Sequence, residues 1–137
     1  MNAGATFDKL KIIYNPVNGV EIAFGKNKKG NDHIIDKYKE KTEGVCYWFH
    51  LSSKSSAHAI VWFQTDDVKK EQRINSFKFV KTMLTANVED QDVLFCRLED
   101  VKKTKSLGEV IFVNETYMSG SNWTDKITYG NLKHKQQ

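Results

Sequence analysis

A chain of 137 residues with 39% hydrophobic and 12% aromatic residues can bury one core without disulfides or metal, which excludes a disordered segment and a disulfide-stapled miniprotein. Its formal net charge of +4 comes almost wholly from lysine, Arg73 and Arg97 being the only arginines, so bidentate reading of base edges is not the recognition mode to expect. No apolar run approaches the ~18 residues of a membrane span, and Met1 to Thr6 lacks a charged segment followed by an apolar one, so the expectation is a cytoplasmic or nuclear protein with no membrane partner.

The first elements are Leu10 to Tyr14 and Val20 to Phe24, short apolar runs around Asn15-Pro16-Val17-Asn18-Gly19, whose proline and glycine predict a hairpin turn. Asn31-Asp32 is placed to cap a short helix with Ile34, Ile35 and Tyr38 on one side and Gly44 as its stop. Cys46 to Leu51 and Ala59 to Phe63 follow as strands of a second hairpin, joined by the polar segment Ser52 to Ser56. Thr65-Asp66-Asp67 offers caps for a longer helix in which Ile74, Phe77, Val80 and Leu84 recur at three- and four-residue steps. Val93 to Leu98 and Glu109 to Val113 read as two more strands, linked by the basic segment Asp100 to Gly108. The tail from Ser119 is polar apart from Trp123, Ile127 and Tyr129 and reads as a loosely docked or disordered extension. Together these predict a single α+β domain over residues 1–118, a mostly antiparallel sheet of about six strands with two helices packed on it, and a polar C-terminal extension over 119–137.

The second hairpin carries the residues that most need explaining. With the loop centred on Lys54, His50 lies opposite His58, and strand alternation sends both imidazoles to one sheet face together with Trp48, Ile60 and Trp62. Imidazoles there could be satisfied by backbone and serine groups, or could grip an anion, since a partly protonated imidazole donates to phosphate near neutral pH. The lysines are clustered at Lys26 to Lys29, Lys69-Lys70, Lys102 to Lys105 and Lys133 to Lys135, and clustered cations attract a phosphate backbone through counterion release. Aromatic residues Trp48, Phe49, Trp62 and Phe63 fit a core better than a base-stacking platform.

Several chemistries lack their signatures. The chain has no Cys-x-x-Cys, no His-Glu-x-x-His, no phosphate-binding Gly-x-x-x-x-Gly-Lys-Ser/Thr and no Gly-x-Ser-x-Gly. His33 or Asp32 could join the histidine pair, but their spacing resembles no ligand pattern, so neither metal nor cofactor is expected. Cys46 and Cys96 sit in apolar runs and read as buried free thiols.

Gly25-Lys26-Asn27-Lys28-Lys29-Gly30-Asn31-Asp32-His33-Ile34, Tyr47-Trp48-Phe49-His50, Ser55-Ser56-Ala57-His58 and Asp100-Val101-Lys102-Lys103 ahead of Gly108-Glu109-Val110 resemble, in order and spacing, the successive motifs of the NFACT-R family. The likeness covers roughly residues 9 to 115 and is to the family's stand-alone branch, without the long charged coiled coil that follows the domain there. Cys46 stands where the family usually has an acidic residue. The resemblance implies an RNA-binding module that grips the phosphate backbone of transfer RNA or large-subunit ribosomal RNA, with the ribosome as a further partner, in ribosome-associated quality control or translation. Carried over residue by residue it marks Lys26, Asn27, Asn31, Asp32, Trp48, His50, Ser56, His58, Lys102 and Lys103, and the lysine clusters add Lys28, Lys29 and Lys105. No catalytic residue is implied. The alternatives are an RNA-processing or RNA-modifying enzyme using His50 and His58 as acid and base, and a module that binds DNA or protein.

Overall fold

Short β-branched and aromatic runs pair into one antiparallel sheet whose centre is covered on both faces. The structure, a computed structural model, describes residues 5–65, 67–88, 91–120 and 122–127. Strands β1 (Ala5–Phe7), β2 (Lys11–Tyr14) and β3 (Val20–Gly25) form a meander, and helix α1 (Lys28–Lys39) then crosses to β4 (Val45–Leu51). Strand β5 (Ala59–Phe63) returns between β3 and β4, and helix α2 (Lys70–Leu84) crosses back to β6 (Val93–Arg97). A short ribbon, β7 (Val101–Lys103) with β8 (Val110–Phe112), stands apart from the sheet before β9 (Thr116–Tyr117) closes the edge beside β6. The order in the seven-stranded sheet is β1-β2-β3-β5-β4-β6-β9.

The fold class is the expected one, a mostly antiparallel sheet with two helices, although the main sheet has seven strands and the ribbon is extra. Edge strands β1 and β9 are three and two residues long, too short to leave a periodic pattern in sequence. The helices lie on opposite faces. All five residues of β5 are buried, as a strand covered on both sides requires. On one face Phe77, Val80 and Leu84 of α2 pack with Tyr47, Phe49, Val61 and Phe95; on the other Ile34, Ile35 and Tyr38 of α1 pack with Trp48, Ile60, Trp62 and Leu94.

Both helix starts differ from expectation. Asn27, not Asn31 or Asp32, caps α1, its side chain accepting from Gly30 N at 2.7 Å, because Asn27 alone has the extended backbone a cap needs. The glycine-flanked basic segment is therefore the first turn of the helix, which frees Asn31 and Asp32 for long-range bonds. Helix α2 begins after Lys69 without a side-chain cap; Thr65 Oγ1 accepts from Asp67 N within its own turn, and Asp66 lies outside the described residues. Gly44 is not the stop of α1, which ends at Lys39. It turns the chain into β4 with φ +87°, where a Cβ would come within 2.4 Å of Phe63 O.

The start of the extension is part of the core. Trp123 and Ile127 are buried in the α2-side cluster, and Trp123 stacks on Phe77 with ring centroids 6.1 Å apart. Tyr129 and the Lys133 to Lys135 cluster lie outside the described residues. Both cysteines carry free thiols, and burial pushes each up to about 12, well away from reactive thiolates. Among the described residues no helix is long and apolar enough to cross a membrane.

Candidate functional site

The hairpin register sets the site. Trp48 pairs with Ile60 and Phe49 with Ala59, so continuing the ladder puts His50 opposite His58, and their ring centroids are 5.0 Å apart. Alternation sends both to the α1 face. The His50 ring lies parallel to Trp48, 6° apart in plane with centroids 5.6 Å apart, while His58 stands edge-on to Trp48 at 5.2 Å. These three rings meet at the end of the hairpin where α1 begins.

Helix α1 reaches the site with two stripes. Ile34, Ile35 and Tyr38 face the sheet, while Lys28, Asp32, Asp36 and Lys39, at three- and four-residue steps, face the ribbon. Asp32 Oδ1 accepts from Gly108 N at 3.1 Å, Lys103 Nζ bridges Asp36 Oδ2 at 2.8 Å, and Lys39 Nζ donates to Val101 O. From the sheet-facing side Asn31 Oδ1 accepts from His58 N at 2.9 Å, beside Gly25, where a Cβ would lie 2.2 Å from that oxygen. Gly25 N in turn donates to His58 O at 3.0 Å. Asn31 thus locks helix, β3 and the histidine hairpin together.

Between hairpin end, helix start and ribbon turn lies a cleft of about 350 Å³, floored by Trp48, His50 and His58 and walled by Lys28, Gly108 and Phe112. Ser55 and Glu109 also line it, and Glu109 accepts from Thr104 Oγ1 at 2.8 Å. Phe112 leans on Trp48 with centroids 5.1 Å apart. The ribbon is held close because Gly108, at φ +78°, passes within 3.1 Å of Lys28 at the position a Cβ would take.

Both imidazoles are held neutral. Burial pushes His58 down to about 3, with the neighbouring His50 adding to the shift, and burial also lowers His50. The expectation that a partly protonated pair grips anions near neutral pH is therefore corrected: the low dielectric around the rings disfavours the charged form. His50 Nδ1 lies 2.6 Å from Leu51 O, and since a carbonyl only accepts, Nδ1 carries the proton and Nε2 is an acceptor. Trp48 Nε1 and His58 Nδ1 are buried with no hydrogen-bond partner among the described residues.

The other sequence-marked residues divide by role. Lys28 borders the cleft, Lys29 is exposed on the same helical turn, and neither makes an ion pair among the described residues. Lys26 donates to Asp8 O at 3.0 Å. Ser56 is structural, its Oγ accepting from Leu51 N at 3.3 Å and lying 3.0 Å from Ala57 O, to which it donates. Lys102 and Lys103 alternate along β7, so they do not act together: Lys103 turns to Asp36, whereas Lys102 lies on the outer face beside Ile111. Lys105 is exposed in the ribbon turn, and His33 Nε2 accepts from Lys11 Nζ at 3.0 Å, away from the histidine pair's hydrogen bonds. Ribbon residues Gly108 and Phe112 went unremarked as site residues in sequence; a glycine after a basic run was the available signal for a tight turn. Among the described residues no group of three or more His, Cys, Asp or Glu side chains is placed to hold a metal.

No protein-family model matches the chain, and no curated protein matches it significantly. Among solved structures, the C-terminal of the fibronectin/fibrinogen-binding protein from Streptococcus suis is similar, at 17% identity and a TM-score of 0.59. The match covers 82% of this chain and 45% of that one, so the chain spans less than half of that structure, and at this identity the likeness is one of fold.

Proposed function

We propose that this domain binds RNA through the α1 face, with lysines at the start of α1 and in the ribbon turn holding the phosphate backbone. The observation that carries the reading is that Lys28 lines the cleft that holds the histidine pair, with Lys29 exposed next to it at the helix start and Lys105 exposed in the adjoining ribbon turn, none of the three in an ion pair among the described residues. The resemblance to the NFACT-R family supports the same choice and points to transfer RNA or large-subunit ribosomal RNA, on or near the ribosome, in the cytoplasm or nucleus. Unpaired exposed cations release counterions when they meet phosphates, so they favour binding without fixing sequence. Lys102 and the tethered Lys103 contribute less than the sequence motif implies, because they face apart.

An acid and base role for the histidines fits the geometry poorly. Neutral His50 Nε2 could accept a proton, but burial and the neighbouring ring keep His58 from holding one to donate. A protein-interaction reading has one observation in its favour besides the neighbour's name: Ile111 and Val113 are exposed together on the ribbon's outer face.

Titration of labelled transfer RNA by anisotropy at several salt concentrations tests the proposal. Affinity should fall steeply with salt, and Lys28→Gln with Lys29→Gln should flatten the log-log slope by about 0.7 to 0.9 per lost contact. Absent or salt-independent binding overturns it.

A further inference from the structure

Resting on the reading above, we infer that the cleft at the end of the histidine hairpin receives an unpaired nucleobase, while the surrounding lysines hold the strand on either side. Four features of the cleft point away from phosphate and toward a neutral heteroaromatic ring.

First, the floor is aromatic: the Trp48, His50 and His58 rings lie within 5.0 to 5.6 Å of one another, and Phe112 backs Trp48. Second, its aromatic floor is uncharged, because both imidazoles are neutral, and the charged groups lining it, Lys28 and Glu109, are one of each sign. Third, its polar atoms suit a base edge: His50 Nε2 accepts, since Nδ1 is committed to Leu51 O, and a base offers both donors and acceptors in its ring plane. Fourth, His58 is 3% exposed and Trp48 0%, and each keeps a nitrogen unpaired among the described residues. Leaving such atoms without partners is costly, so polar groups beneath the floor call for a partner that the described residues do not supply. The cleft volume of about 350 Å³ falls in the range of small-ligand sites.

A duplex cannot deliver a base to this cleft without flipping it, so the occupant comes from a single-stranded loop or end, or from a free nucleoside. The test compares three probes on the whole chain: a short single-stranded RNA, the same strand with one abasic site in place of each base in turn, and free adenosine or uridine. The inference predicts that one abasic position weakens binding about tenfold or more, with the salt slope unchanged, since stacking is lost and phosphates are kept. It also predicts that the intact strand shifts the His50 ring-nitrogen resonances and the abasic strand does not. In His50→Phe, which keeps a ring and removes the acceptor, the difference between intact and abasic strands should shrink, whereas Lys29→Gln should weaken both strands alike.

Equal binding of intact and abasic strands, with a steep salt slope, overturns the nucleobase inference and leaves the RNA reading standing. Binding of neither strand overturns both. Saturable binding of free nucleoside with the same ring-nitrogen shifts supports the nucleobase and identifies a nucleoside as a sufficient source.

Discussion

The two faces of the sheet are built from the same strands yet differ in chemistry. On the α2 face Phe77 sits among Tyr47, Phe49, Phe63 and Phe95, with ring centroids 4.7 to 6.3 Å away, and Trp123 closes over it. That face is dominated by an aromatic cluster, with Arg73 and Ser76 of α2 as buried polar side chains beside it. On the α1 face, β4 presents Trp48 and His50, the residue just before β5 presents His58, and the helix adds the buried Asn31 and the part-buried Asp32. One face supplies stability and the other spends some of it on positioning polar groups, a division that strand alternation makes possible within a single hairpin.

The strongest way to break that contrast is Phe77→Ala. Removing the ring at the centre of the aromatic cluster should cost about 3–5 kcal/mol in urea unfolding, with RNA binding intact in whatever fraction remains folded. A loss below 1 kcal/mol would mean that the α2 face is not the stabilising one.

Gly25→Ala acts on the other face at its tightest point. The added Cβ would lie 2.2 Å from Asn31 Oδ1 and 2.7 Å from Asn31 N, so the helix must move away from β3 and the bond to His58 N must lengthen. We expect a loss of about 3 kcal/mol together with weaker RNA binding, and full affinity in the folded fraction would show that the histidines do not depend on Asn31.

Acid unfolding sharpens the contrast through His58. Burial lowers its imidazole from the ordinary value of 6.5 to about 3 in the fold, so the unfolded chain binds the proton first as pH falls. Stability from this source is fully present above pH 6.5 and is lost as pH drops toward 3. His58→Gln should therefore have a flatter stability profile than the parent, the difference reaching about 2 kcal/mol between pH 6.5 and 4.5. Parallel profiles would show that folding leaves the His58 imidazole unshifted. His58→Ala is the poorer variant: the side chain is 3% exposed, so truncation opens a cavity and cannot leave thermal stability unchanged.

The smallest expected effect on stability is that of Lys28→Gln with Lys29→Gln, within about 0.5 kcal/mol, because neither lysine is ion-paired among the described residues. Its effect on RNA affinity should nevertheless exceed that of Lys103→Gln, whose loss breaks an exposed pair with Asp36 and removes a cation already committed.

Much of this architecture is legible in the residues. The polar loop centred on Lys54 places His50 opposite His58, and the structure has that register, because period-2 alternation and a short loop leave little freedom. The helices were legible from their apolar steps. Less legible was the role of Asn31 and Asp32, since an asparagine before an apolar run signals a cap whether or not another asparagine four residues earlier takes that place. Opposite orientation of Lys102 and Lys103 follows from β7 being a strand, which three residues opening a basic segment do not announce. The protonation of the histidines depended on burial by the ribbon, a contact between segments some fifty residues apart in sequence that no local pattern encodes.

The central claim is that the α1 face is the RNA-binding face. Mapping amide and imidazole resonance shifts on a labelled chain during titration with transfer RNA tests it most directly. The account predicts shifts concentrated at Lys28, Lys29, the ribbon turn around Gly108 and the His50 ring, with Phe77, Val80 and the rest of the α2 face unmoved. Shifts centred on α2 or on the exposed Ile111 and Val113 surface, or no shifts at saturating RNA, would contradict it.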